Sequence, residues 1–156
     1  MRFNTCTTPD DFMKESYGAK MQSKIDLTFN GPCEAAFQFY EKCLGGQILL
    51  MMTNGDSPMA QQTPPDRLPK IMHATFALGD QVFSGSDAPP ERYQKPQGFA
   101  VQLNVGDAAE ADGIFKALAE NGTVQMALQE TFWAQRFGML IDQFGTPWMI
   151  NCEKPA

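Results

Sequence analysis

The segments "KIDLTFNGPCEAAFQFYEKCLGGQILL" and "AVQLNVGDAAEADGIFKALAENGTVQM" carry one pattern twice, 76 positions apart. Ile25 corresponds to Val101, Leu27 to Leu103, Phe29 to Val105, Glu34 to Glu110, Phe39 to Phe115, Gly46 to Gly122 and Ile48 to Val124. So many matches in a single register point to a duplicated unit. Each copy alternates apolar residues as a half-buried strand does, shifts to helical spacing, and stops at glycine. Gly46 and Gly122 are expected to be the left-handed residues that close the two helices. Any fold for this chain must therefore be built from two copies of a strand–helix unit.

Three more strand-like runs follow each helix. They are "QILLMMT", "KIMHATFAL" and "QVFSGSD" in the first half, and "TVQMALQETFW", "RFGMLID" and "PWMINCE" in the second. The segment "TNGDSPMAQQTPPDRLP" is rich in Pro, Gly and Gln and reads as a long surface loop, and "SDAPPERYQKPQG" links the halves. Each half is thus β-α-β-β-β. Two such modules predict an α+β protein with a curved mixed sheet and helices on its convex face. Residues 1–23 read as a polar extension and 24–156 as a single domain made of repeats over about 24–88 and 98–153.

Charge narrows the partners. Acidic residues outnumber basic ones, 18 to 12, for a net charge of −6 and a pI near 4.7. A nucleic-acid partner would call for a basic stripe, because phosphate contact is driven by counterion release, and no Lys/Arg cluster exists. No apolar run is long enough to cross a bilayer, so a membrane is not expected either. Cys6, Cys33, Cys43 and Cys152 lie far apart with no Cys-x-x-Cys pair, which fits reduced thiols in a cytoplasmic protein. The first residues lack the apolar core of a signal peptide. Phe3, Phe12, Met13 and Tyr17 give that extension apolar groups that suit it to lie across a second subunit.

Strand alternation assigns faces. Phe99, Val101, Leu103 and Val105 form one apolar side expected under the helices, leaving Ala100, Gln102 and Asn104 opposite. Likewise Met72, Ala74, Phe76 and Leu78 are expected under the helices, with Ile71, His73 and Thr75 on the concave face. Trp148, Ile150 and Cys152 fall on the helix side, while Met149 and Asn151 look into the concavity.

His73 is the single histidine, a candidate proton carrier or polar anchor or simply an interior hydrogen-bonded ring. Glu130, among Phe132, Trp133 and Phe137, is a candidate acid or base if desolvation raises its pKa; a solvated strand-end carboxylate or a pair with Arg136 is the alternative. Arg136 suits an anionic ligand or a surface ion pair. Trp133 is placed with Glu130 at the mouth of the concavity. Asp87 is expected to open a turn. "CLGGQ" follows a helix and lacks the context of a phosphate loop, and no Gly-rich turn follows a first strand to hold S-adenosylmethionine.

The stretches "LTFNGPCEAAFQFYEKCLGG", "MHATFALGDQVFSGSDA" and above all "QETFWAQRFGMLIDQFGTPWMINCE" resemble the vicinal oxygen chelate superfamily of glyoxalases, bleomycin-resistance proteins and extradiol dioxygenases. Within it, residues 24 to 153 look most like the PhnB-like branch, described as 3-demethylubiquinone 3-methyltransferase-like. The resemblance implies a ligand on the concave face and a homodimer. It also implies four metal positions, which fall on Lys24 or Asp26, Phe83 or Ser84, Ala100, and Met149. At most one of these is a ligand type, so no metal and no other cofactor is expected. The leading expectation is a small molecule bound by Thr75, Gln102, Asn104, Trp133, Arg136, Met149 and Asn151, with His73 and Glu130 as the groups for proton transfer. Two alternatives stand: a metal-dependent lyase or dioxygenase with a rebuilt site of His73, Glu130 and Asp87, and a sequestering protein of the bleomycin-resistance type.

Overall fold

The computed structural model describes residues 21–156, so the expectations for Phe3, Phe12, Met13 and Tyr17 lie outside the described residues. The first half runs β1 (Ile25–Phe29), α1 (Cys33–Leu44), β2 (Gln47–Thr53), β3 (Ile71–Leu78) and β4 (Gln81–Asp87). The second runs β5 (Val101–Asn104), α2 (Ala108–Leu118), β6 (Thr123–Gln129), β7 (Ala134–Ile141) and β8 (Pro147–Glu153). The repeat is literal over the first three elements: β2 and β6 are offset by the same 76 positions as the sequence pattern. The offset then falls to 63 at β7, because 17 residues separate β2 from β3 and only four separate β6 from β7.

Each half makes its own four-stranded mixed sheet, ordered β1-β4-β3-β2 and β5-β8-β7-β6, with the first strand parallel to the last. The α+β class and the two β-α-β-β-β modules expected from sequence are what the structure has, with the mixed sheet carried as one four-stranded sheet per module among the described residues. Their helix-side faces share one core that holds Phe29, Phe37, Phe76, Phe115, Trp148 and Ile150. No helix among the described residues is long and apolar enough to cross a membrane.

In both halves the left-handed residue lies one position before the expected glycine, directly after α1 at Leu44 and two residues beyond the Ala119 cap of α2. The left-handed residues are Gly45 (φ 73°) and Asn121 (φ 54°), again 76 apart. Gly46 and Gly122 serve close packing instead: a Cβ on Gly46 would collide with the Ala77 carbonyl and the Phe76 ring, and one on Gly122 with the Ile141 carbonyl. Asp87 does not open a turn. It ends β4 buried, and its carboxylate accepts from the backbone N–H groups of Gly31 and Cys33 (3.0 Å each) and Ile71 (2.9 Å). It thereby ties the start of α1 to the start of β3. The long loop carries three 3-10 turns and is pinned where Arg67 donates to the Asp87 and Ala88 carbonyls.

Alternation misplaces three side chains. Phe99 is 51% exposed rather than under a helix, because Gly98 takes a positive φ and β5 begins only at Val101. Ile71 lies in the core at 1% exposure, whereas Met72 is 41% exposed. Both sit at the start of β3 where the pairing with β2 shifts register between Met52 and Thr53, so the strict two-residue period fails there.

One polar cluster joins the halves. The Tyr40 hydroxyl on α1 donates to Asp142 Oδ2 (2.6 Å) and stands 2.9 Å from Thr146 Oγ1. Trp148 Nε1 donates to the same Oδ2 (2.9 Å), and the Phe144 and Thr146 N–H groups donate to Oδ1. Burial and the Asp142 charge push the Tyr40 hydroxyl well above its ordinary pKa of 10.0. The folded chain therefore keeps a proton that the unfolded chain releases in alkali. That stability is fully present below the unfolded value and is lost as pH rises through the folded one. Tyr40→Phe is expected to cost about 1.5–3 kcal/mol near neutral pH, read from urea unfolding midpoints. The deficit should shrink above about pH 10; a constant deficit across that range would show that the hydroxyl proton is not held by the fold.

Candidate functional site

The concave face of the second sheet is built from three cross-strand rungs on β7 and β8. Ile141 pairs with Pro147, Met139 with Met149, and Phe137 with Asn151. Parallel pairing of β5 sets Gln102 beside Met149 and Asn104 beside Asn151. Gly138 and Leu140 occupy the alternate positions against Ile150 and Trp148, on the helix side. The first two rungs floor an apolar hollow of about 370 Å³, walled by Ala100 and Gln125. Next to it, Asn104 Oδ1 accepts from Gln102 Nε2 (3.0 Å) and from Asn151 Nδ2 (3.1 Å). Asn151 Oδ1 is buried and has no hydrogen-bond partner. Gln102, Asn104, Met149 and Asn151 thus share one surface.

An aromatic row leads into it. Phe132 packs edge-on to Trp133 at 4.7 Å, and Trp133 to Phe137 at 5.4 Å. Phe132, at 90% exposure, stands in the solvent. Glu130 and Arg136 do not pair with each other. Glu130 pairs with Lys154 at 2.8 Å, and the Lys154 hydrogen bond and charge hold its carboxyl below the usual range. The raised pKa expected from aromatic neighbours is therefore reversed, because the carboxylate is exposed and its nearest partner is a cation. Arg136 pairs with Asp112 of α2 at 3.0 Å, on the helix side of β7.

The first sheet differs. Ala74 and Phe76 face α1 through their partners Gly85 and Phe83, so His73 and Thr75 lie on the opposite face. Across from Thr75 is Ser84, and across from Ser84 is Asp26, with Thr28 and Ser86 forming the next pair. Thr75 is fully buried, and its Oγ1 has no hydrogen-bond partner. His73 is half-buried. A second hollow of about 680 Å³ lies over β1, lined by Asp26, Thr28, Gln94, Lys95 and Phe99. Sequence reasoning names none of Gln125, Phe137, Met139 or Ile141 as site residues. The alternation of "RFGMLID" carries the signal for the last three.

The superfamily's metal positions do not fit a metal here. Ala100 and Met149 line the apolar hollow, and neither offers a ligand for a hard or borderline cation. Among the described residues no group of three or more His, Cys, Asp or Glu side chains could hold an ion. The rebuilt site of His73, Glu130 and Asp87 fails for a visible reason: Asp87 is committed to three backbone N–H groups and Glu130 to Lys154.

Two βαβββ modules with back-to-back helices and open concave sheets define the glyoxalase/bleomycin resistance/dioxygenase fold. A domain of that description from Frankia sp. EAN1pec shares the fold (TM-score 0.61, 12% identity, 88% of this chain and 100% of that one). Residues 21–151 match the family described as 3-demethylubiquinone-9 3-methyltransferase, and the chain belongs to that family. Protein YjdN of Escherichia coli K12 is 35% identical over 136 residues, 82% of this chain and 92% of its own. The crystal structure of protein PA1353 from Pseudomonas aeruginosa is similar at TM-score 0.79 and 44% identity, over 87% of this chain and all of that one. A putative 3-demethylubiquinone-9 3-methyltransferase, PhnB protein, from Bacillus cereus shares the fold at TM-score 0.73 and 23% identity, over 85% and 99%.

The orphaned hydroxyl gives a direct test of the first sheet. Thr75→Val keeps the shape and removes a buried polar atom without a partner, so it is expected to stabilise the fold by about 1 kcal/mol or more. Urea unfolding reads this. A destabilised variant would show that the hydroxyl has a partner in solution.

Proposed function

We propose that this chain binds an uncharged small organic molecule on the concave face of its second sheet, and does so without the superfamily's metal. The observation that carries the reading is the hollow at the metal positions themselves. Met149 and Ala100 turn a site for charge into an apolar surface, with Met139 and Ile141 completing it. Hollows of about 300–1,000 Å³ with a few convergent polar groups are the usual form of small-molecule sites. The carboxamides of Gln97 and Gln125 supply those groups in its lining, and the bonded set of Gln102, Asn104 and Asn151 lies beside it on the same sheet. Trp133 stands at the edge of the face, while Arg136, turned toward Asp112, contributes no charge to it.

Methyl transfer, which the family's description names, has less support. β1 passes to α1 through Asn30, Gly31 and Pro32, and the Gly31 N–H is already given to Asp87. A Gly-rich turn with free N–H groups, of the kind that cradles a nucleotide-like cofactor, is not what this connection provides. Binding, including sequestration of a drug-like molecule, is the function favoured by a charge-free surface. His73 on the first sheet and the ionised Glu130 at the rim are the groups through which a reaction would have to move protons.

The chain is further proposed to act as a cytoplasmic homodimer. Phe99, Met126, Phe132 and Trp133 leave apolar surface along the second half that a second copy would cover. Cys33 and Cys152 are buried free thiols, as suits a reducing compartment. Sedimentation velocity should give a dimer, and a monomer unchanged by dilution would count against it.

Elemental analysis of protein purified without chelator is expected to find no stoichiometric zinc, nickel, iron or manganese. One equivalent held at β5 and β8 would overturn the metal-free reading. Nile red, an uncharged apolar fluorophore, is expected to bind, and Met149→Lys to weaken it about tenfold or more by placing a charge in the hollow. Equal affinity in the two proteins would move the ligand elsewhere.

A further inference from the structure

The hollow over β1 takes no part in the reading of the second sheet, and its lining points to a different ligand. It has a volume of about 680 Å³ and follows β1, of which Asp26, Leu27 and Thr28 line it in succession. β1 is the edge strand of its sheet: it pairs with β4 on one side and with no strand on the other among the described residues. An edge strand turns N–H and C=O groups outward, unpaired.

The linker between the halves carries Gln94, Lys95, Gln97 and Phe99 into the same hollow. Asp26 on the strand and Lys95 on the linker are the charged side chains of the lining, one of each sign. Neither has an ion-pair or hydrogen-bond partner for its side chain among the described residues, whereas Glu130 and Arg136 each have one. The carboxamides of Gln94 and Gln97 are likewise unbonded, and each presents donors and an acceptor whichever way it is turned. Beside them Phe99, next to the positive-φ Gly98, exposes 51% of its surface.

Each of these features has its counterpart in one kind of molecule. A chain with free ends brings an ammonium to Asp26 and a carboxylate to Lys95, which neither an uncharged nor a singly charged ligand does. Its peptide bonds can pair with a strand edge, the mode by which sheets take up extended segments. An apolar side chain on it covers Phe99. The volume limits its length, because a hollow within the range of small-molecule sites has room for about two or three residues. We propose that the hollow over β1 is a second binding site, which takes a short peptide with both termini free. The lining is neutral as a whole, so it balances a zwitterion and leaves any singly charged analogue with one pole unmet.

The test titrates glycyl-phenylalanine into the full chain by calorimetry, beside two analogues that each lack one charge, the N-acetyl derivative and the C-terminal amide. Glycyl-phenylalanine is expected to bind about fivefold more tightly than either, the upper worth of one solvent-exposed ion pair. Asp26→Asn should erase the preference over the acetyl derivative and keep that over the amide, and Lys95→Gln should do the reverse. Both positions are exposed, so the fold should stay intact by circular dichroism. Equal affinity of the wild-type protein for the three compounds overturns the proposal, and so does binding of none. A preference unchanged in both variants places the peptide elsewhere and overturns the site. Nile red should bind Asp26→Asn as it binds the wild type. Loss of the peptide with Nile red retained therefore overturns the second site and leaves the reading of the second sheet standing.

Discussion

Asp142 is the charge on which the arrangement of the two halves depends. It receives four donors: the Tyr40 hydroxyl, the Trp148 indole and the N–H groups of Phe144 and Thr146. A carboxylate has roughly four lone-pair sites, so this one is saturated and its burial is compensated. The donors come from α1 in one half and from the β7–β8 connection and β8 in the other. Tyr40 adds an edge-on contact with Trp148 at 5.2 Å, and Phe39 one with Phe144 at 5.6 Å. Because α1 is also anchored at its start by Asp87, the helix is fixed at both ends, once within its own half and once to the other. The sheets keep their separate hydrogen-bonding while their backs share one core.

Duplication explains the symmetry of the backs and not the chemistry of the fronts. The 76-residue offset equates Asp26 with Gln102 and Thr28 with Asn104. Across the parallel pairing these meet Ser84 and Ser86 in the first half, and Met149 and Asn151 in the second. One front thus carries a carboxylate, hydroxyls and a histidine, and the other carboxamides and thioethers. Helix-facing positions cannot diverge in this way, because a polar group there would be buried without water. Concave positions are free to change sign and hydrogen-bonding character while the strand register stays the same.

Much of this is legible in the sequence because its period is long and regular. The repeat places β2 and β6 to the residue, and alternation puts Gln102, Asn104, Met149 and Asn151 on one face, as the β5–β8 register does. Sequence fails as a guide where a local rule stops applying. Alternation does not carry across Gly98 to Phe99, nor through the start of β3 past a register shift. The sequence neighbours of Glu130 suggest a raised pKa, whereas Lys154, remote in sequence, determines its charge state. The residue type of Arg136 suggests an anion clamp, but strand parity turns it to α2. Asp87 and Asp142 illustrate the remaining gap. Their roles come from backbone donors that only the closed fold brings together, and composition gives no sign of them.

Polar satisfaction is distributed unevenly, and that asymmetry argues for where function lies. Behind the sheets the buried carboxylates Asp87 and Asp142 have every oxygen occupied. In front, Thr75 Oγ1 on the first sheet and Asn151 Oδ1 on the second are buried without partners. Such atoms are uncommon in folded proteins and each costs about 1–3 kcal/mol. A fold that compensates a charge so completely on one face has the means to satisfy a hydroxyl or an amide on the other. The unmet atoms therefore mark the concave side, where the two modules also differ most in residue type.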